Sequence, residues 1–238
     1  MHIKLIYVIN DYMTKSTPFR GPSLMLLAAA HILVFAAGLV SSTVLRHGAP
    51  YVTPFAQADQ VRLFFAENPT AVRVSNFFLF GSAVPLGIYA VTTVSRLRFF
   101  GVRAAGTNIA LFGGLSAAIG LFLSGISGWE LSVPEVAGSI ATVKAIDFLN
   151  FLSGGVFYSV GFGLLTAGVS VTGHFTRLLP GWLVALGLLV AITGELSSLS
   201  LIAYSANFFI PITRFIGFVW MLFAASALTT DRRVNSAA

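Results

Sequence analysis

The sequence predicts an all-α polytopic membrane protein: a bundle of six transmembrane helices with both termini cytoplasmic and a short amphipathic helix on the outer side. Three observations carry this. Of 238 residues, 56% are hydrophobic and only 9% charged, where a soluble domain averages about 25% charged. Mean hydropathy is +0.88, more apolar surface than a soluble fold of this size hides. The apolar residues also gather into runs of about 20, the length that crosses a bilayer core as a helix.

The runs fall at 22–45, 74–95, 105–127, 146–172, 180–203 and 208–229. Each is helical because backbone groups in lipid must pair within their own segment, and none shows the short alternation of an outer-membrane barrel strand. The fourth exceeds what a bilayer requires, so it tilts or protrudes. Pro85 and Pro211 are expected to bend the second and sixth spans. Glycines punctuate the third (Gly113, Gly114, Gly120) and fourth (Gly154, Gly155, Gly161, Gly163, Gly168). They let backbones approach closely, which makes the fourth span the expected packing centre. Residues 22–127 and 146–229 show no internal repeat of the kind that inverted-repeat transporters carry.

Basic residues orient the bundle. Lys4, Lys15, Arg20, Arg96, Arg98, Arg103, Arg177, Arg232 and Arg233 collect on one side, against Arg46, Arg62, Arg73 and Lys144 on the other. By the positive-inside rule the first side is cytoplasmic. The domain plan is then a cytoplasmic extension (1–21), a transmembrane domain (22–229) with one sizeable outer loop (46–73), and a cytoplasmic tail (230–238). Leu5–Ile9 is too short for a signal-peptide core. MTKSTPFRG from Met13 would itself make a cytoplasmic start, with residues 1–12 an extension. In the outer loop, Thr53-Pro54 reads as a helix start and Asn68-Pro69 as a stop. Phe55, Ala58, Val61 and Phe65 line one face of this helix, which lies on the membrane surface, caps the bundle mouth, or merely connects.

The formal charge of +6 does not imply nucleic acid, because the basic residues sit in short clusters beside the spans and not in one stripe. With no cysteine, disulfides, thiol catalysis and Cys-ligated metal drop out. No cofactor or metal is expected: His31 has no second histidine at matching depth for haem, and no HExxH or acidic cluster offers metal spacing. His31 reads as a polar residue hydrogen-bonded between helices, with a proton-relay role the functional alternative. GISG (Gly125–Gly128) matches the GxSG of rhomboid-type intramembrane proteases, yet residues 208–229 supply no histidine base, and only His47 shares the outer side.

Two constellations remain. Lys144 and Asp147 stand three residues apart at the entry of the fourth span, where they can pair, with Asn150 a turn deeper. Asn76 and Asn108, near span ends, could complete an outward polar vestibule; the plainer reading is interfacial snorkelling and capping. Glu195 and Arg214 lie ten residues before and nine after Ser205, the expected turn of the fifth-to-sixth hairpin, and so at nearly equal depth. An unpaired arginine there costs about 2.5–3.5 kcal/mol on the milder insertion scale, which predicts a direct or water-bridged Glu195–Arg214 pair. Such a pair either fixes hairpin register or forms a gated ion site.

SAVPLGIYAVTTVSRLRFFGVRAAG (Ser82–Gly106), LLPGWLVALGLLVAITGELSSLSL (Leu178–Leu201) and PITRFIGFVW (Pro211–Trp220) together resemble an uncharacterised bacterial six-span family known only as a domain of unknown function. The resemblance covers most of residues 20–229 and implies a bacterial inner-membrane protein; it brings no assigned site residues. The functional expectation is the handling of a small solute or lipid through a polar site between spans four, five and six, built from Glu195, Arg214, Asp147, Lys144, Asn150 and His31. The alternative is a non-catalytic accessory protein that packs against other membrane proteins, and the remote alternative is the protease. Expected partners are membrane lipid, with a small solute or another membrane protein, and no nucleic acid.

Overall fold

The computed structural model describes Phe19 and residues 21–228; most of the N-terminal extension and the C-terminal tail lie outside the described residues. Among those described, every regular element is helical. The order is α1 (Leu24–Leu45), α2 (Ala58–Glu67), α3 (Pro69–Phe99), α4 (Ala105–Glu130), α5 (Pro134–Ala137), α6 (Ile140–Phe151), a π-helical segment (Leu152–Phe157), α7 (Tyr158–Phe175), α8 (Gly181–Leu196), two 3₁₀ turns (Ser197–Leu201 and Tyr204–Phe208) and α9 (Phe209–Ala227). Six of the resulting rods are long and apolar enough to cross a membrane. The chain is a multi-pass integral membrane protein.

Local chemistry sets most of the ends. Ser23 caps α1, its hydroxyl accepting from the Leu26 amide at 3.3 Å. Asn68 ends α2, and Pro69 opens α3 at a position where its missing N–H costs nothing. Ser139 caps α6, so the fourth span runs from Ile140 to Phe175 and starts six residues before its expected boundary. Thr53-Pro54 does not start α2. The Thr53 hydroxyl accepts from the Phe55 amide in a turn, and the helix begins at Ala58. Pro211 sits in the first turn of α9, just after a 3₁₀ segment, whereas Pro85 lies in the interior of α3. The fifth-to-sixth turn falls at Ile202 and Ala203, with the expected Ser205 already inside the next 3₁₀ turn.

The six spans pack as a sequential ring: α1 on α3, α3 on α4, α4 on the α6–α7 rod, α7 on α8, α8 on α9, and α9 back on α1. The tightest seam is α4 against α7. Gly106, Gly113 and Gly120 are spaced seven residues apart, and so are Gly154, Gly161 and Gly168 on the opposing antiparallel rod. A Cβ on Gly161 would lie 2.6 Å from the Ala117 amide nitrogen, and one on Gly168 would lie 2.5 Å from the Gly106 carbonyl. Only hydrogen fits between such backbones. This bears out the fourth span as a packing centre.

The ring is filled unequally. The half away from α2 is solid, centred on the fully buried Tyr89, Phe162, Trp220 and Met221. Tyr89 donates across it to the Met221 carbonyl at 3.1 Å. At the far end Arg96 donates to the Leu228 carbonyl at 2.9 Å and lies 4.7 Å from the Phe19 ring centroid. The half nearer α2 is hollow. There α2 folds over the bundle, burying Val61, Phe64 and Phe65 with Leu131, Ala137 and Val143 in a second, smaller apolar cluster. Of the readings open to this helix, the cap over the bundle mouth is the one observed.

Candidate functional site

The hollow is a cavity of about 440 Å³ lined by α1, α2, α3, α4, α9 and the end of α6 with the π segment that follows it. α8 contributes no lining residue, so the space lies between spans one, two, three, four and six and not between four, five and six. Its wall is mostly apolar. Arg214 and Asn150 line it, with Ser75, Asn76 and Ser124 as further polar groups. Leu39 and Thr43 of α1 also line it and are themselves exposed, so the cavity opens along α1.

Arg214 is held in an unusual way. One Nη donates to the Gly154 carbonyl, which belongs to the π-helical segment. A π turn takes one extra residue and disrupts the regular carbonyl ladder, and such turns recur at functional sites. The guanidinium carbon lies 4.9 Å from the Phe35 centroid and 4.6 Å from that of Tyr158, contacts that stabilise a desolvated cation. Its Nε is buried without a hydrogen-bond partner.

The expected Glu195–Arg214 ion pair does not form. Among the described residues the one ion pair is Arg62–Asp59, at 4.0 Å. The seam between α8 and α9 is made by the neighbouring threonines, Thr213 donating to Thr193 at 3.0 Å. Glu195 is two residues past Thr193 and thus about 200° around the helix, which turns it to the exposed outside of the bundle. Arg214, one residue past Thr213, turns inward toward Gly154 instead. With the turn at 202–203 and not at Ser205, and Thr193 level with Thr213, the two groups are offset by three residues, about 4.5 Å along the axis, and azimuth separates them further.

Lys144 and Asp147 do not pair either. Lys144 donates to the carbonyls of Pro54 and Ala56, the latter at 3.2 Å, and lies 5.1 Å from the Phe148 centroid. It ties the 54–56 turn to α6, where Phe55 also packs on Phe148, Phe151 and Tyr204. Asp147 is 1% exposed, and its Oδ2 has no partner. One turn on, Asn150 accepts from Ser124 at 2.5 Å. Asn76 stands near them, its amide donating to the Val72 carbonyl at 2.8 Å. Asn108 belongs to the opposite end, where Arg98 donates to it at 2.7 Å, so it takes no part in the vestibule. His31 is fully buried and donates from Nδ1 to the Ser82 carbonyl at 2.8 Å, linking α1 to α3 as expected. Its ring packs edge-on against Phe218, which also touches Phe35, so it sits behind the cavity floor.

The GISG motif is packing. The Ser127 hydroxyl donates within its own helix, to the Leu123 carbonyl at 2.8 Å and the Ser124 carbonyl at 3.3 Å. Gly125 lies against Phe80, and a methyl on Gly128 would collide with Asn76. No histidine hydrogen-bonds Ser127 among the described residues.

Reading the residues missed Gly154 as the acceptor for Arg214, Ser124 as the partner of Asn150, and Phe35 as a wall. No signal in one sequence announces a π turn. The seven-residue glycine spacing was available, and it would have aligned the fourth span against the third and so brought Ser124 beside Asn150. No protein-family model, curated protein or solved structure matches this chain.

Proposed function

We propose that this membrane protein binds a small solute or lipid in the cavity between α1, α3, α4, α6 and α9. The observation that carries the proposal is the cavity itself: about 440 Å³, mostly apolar, with a few convergent polar groups and an opening along one side. That is the usual form of a small-molecule site. In mild detergent the protein should retain a lipid or solute visible by native mass spectrometry. Ser75→Trp, which fills the cavity, should release it, whereas Phe112→Trp, on a residue 66% exposed, should not. Equal retention by both variants would remove the cavity from the proposal.

The accessory-protein alternative would be favoured by small-residue faces left open to lipid. Within the six spans the glycines are spent internally: apart from Gly181, at the start of α8, each has a neighbouring helix or side chain within 4 Å of a built Cβ. That weighs against it.

The α2 end faces away from the cytoplasm in this proposal, supported by the nine-to-four bias of basic residues. The bacterial inner membrane is the location the family resemblance implies. A cysteine at the exposed Gln57 should react with an impermeant thiol reagent in intact cells, and one at Ser236 should stay protected. The opposite pattern would invert the bundle.

A further inference from the structure

Resting on that reading of the cavity, we infer that its ligand is an anionic amphiphile, with a carboxylate or phosphate head held by Arg214 and an apolar body along Phe35, Leu39, Leu79 and Ile210. Three independent features converge on this class.

The first is charge. Arg46 and Arg214 line the cavity, and no aspartate or glutamate does. Arg46 stands at the α2 end, its Nε donating to the Ser42 carbonyl at 2.9 Å and an Nη to the Ala49 carbonyl at 2.8 Å. Arg214 stands at the level of Phe35, eleven residues or about 16 Å deeper along α1. A path with low-dielectric walls and a cation at each end draws anions inward. Asp147, the carboxylate of this region, does not line the space. It lies seven residues, about 10 Å along the rod, from Gly154.

The second is unused donor capacity. A guanidinium carries five N–H donors in one plane. Arg214 spends one on Gly154, the Tyr158 hydroxyl lies near the guanidinium, and the buried Nε still makes no well-formed hydrogen bond. The rings of Phe35 and Tyr158 stabilise the charge but leave donors in the guanidinium plane unmet. A carboxylate or phosphate accepts two of them in parallel, the geometry that arginine favours. Ser124 and Asn150 border the same space and offer further polar atoms to a head group.

The third is shape and lining. The wall beyond Arg214 is mostly apolar, and the exposed Leu39 and Thr43 mark an opening along α1. A bare inorganic anion would leave that wall facing water or void, while an acyl or aryl body fills it. Gly155 keeps the opposite wall low, since a Cβ there would reach Ile210 at 3.2 Å.

Equilibrium binding to the purified protein in non-ionic detergent tests this, with oleate, oleyl alcohol, acetate and inorganic phosphate as probes. Oleate should bind more tightly than oleyl alcohol by about tenfold or more, the value of a charged hydrogen-bonded contact, while acetate and phosphate bind weakly. Arg214→Gln should lower oleate affinity to that of oleyl alcohol and leave the alcohol unchanged. Equal affinities for oleate and oleyl alcohol, or an Arg214→Gln variant that still prefers oleate, would overturn the anionic head while leaving the cavity reading intact. Phosphate binding as tightly as oleate, with the same dependence on Arg214, would replace the amphiphile by a free anion. If neither long-chain probe binds and Ser75→Trp changes nothing, the cavity reading itself fails. Should Arg214→Gln not fold, Arg214→Lys keeps the charge but loses the planar fork, and it should bind oleate between the native protein and oleyl alcohol's level; native affinity in that variant would overturn the forked contact.

Discussion

Arg96 and Arg214 are built into the bundle from the same parts and end up in opposite circumstances. Each donates to one backbone carbonyl, and Arg96 lies against one aromatic ring where Arg214 lies against two. Arg96 meets the end of α9, where helix carbonyls are unsatisfied and the dipole favours a cation, and the solid half of the ring closes around it. Arg214 meets the middle of a rod, at a carbonyl within the π segment, and faces open space. Both leave a buried Nε without a hydrogen-bond partner, but only Arg214 has that spare capacity beside open space. What distinguishes a structural cation from a binding one here is the packing around it and not its immediate contacts.

Substitutions along the glycine seam test that contrast most severely. Gly168→Leu in the solid half forces a side chain between Gly106 and Ala110 and should cost more than about 3 kcal/mol or abolish folding. Gly155→Leu borders the cavity and should fold, with a smaller loss of about 1–3 kcal/mol, because its Cβ meets only the flexible end of Ile210 at 3.2 Å and the rest of the side chain can turn into the cavity. Thermal unfolding in detergent reads both. If both variants fail alike, the hollow half is not hollow in the working protein.

Replacing the arginines themselves should show the next largest difference. Arg96→Met removes a charged hydrogen bond from a filled site and should cost about 1.5–3 kcal/mol. Arg214→Met removes a similar bond but also a desolvated charge with no counter-ion, and apolar replacement of such groups is often near neutral. The melting point should therefore fall less for Arg214→Met than for Arg96→Met. A larger fall would make Arg214 the structural member of the two.

The smallest effects belong to α8 and α9. Thr213→Val removes the hydroxyl bond that sets their register and should cost about 0.6 kcal/mol, the typical value between membrane helices. Glu195→Gln, on an exposed face, should stay within about 0.5 kcal/mol. In a double-mutant cycle Glu195→Leu and Arg214→Met should be additive within about 0.5 kcal/mol. Coupling well above that would restore the ion pair.

The spans were legible because apolar runs and bilayer thickness are both one-dimensional quantities, and depth can be counted along a chain. Contact also needs azimuth. Glu195 and Arg214 illustrate the gap: their levels differ by only about one turn, yet Thr193 and Thr213 occupy the seam and turn the charges apart. Lys144 failed for a different reason. Its best acceptors, Pro54 and Ala56, lie about 90 residues away in sequence, and no local spacing rule reaches that far. His31 came out as expected because a single buried imidazole needs little more than one carbonyl on the next helix.

The sequential ring also bears on how the chain could be cut and rejoined. Arg96 grips Phe19 and the Leu228 carbonyl at once, which brings the start of the first span and the end of the last within one side chain's reach. A short linker across that gap would make the backbone circular without crossing the bundle. The circle could then be reopened at the exposed Thr176–Arg177 turn, leaving every neighbour relation in the ring intact.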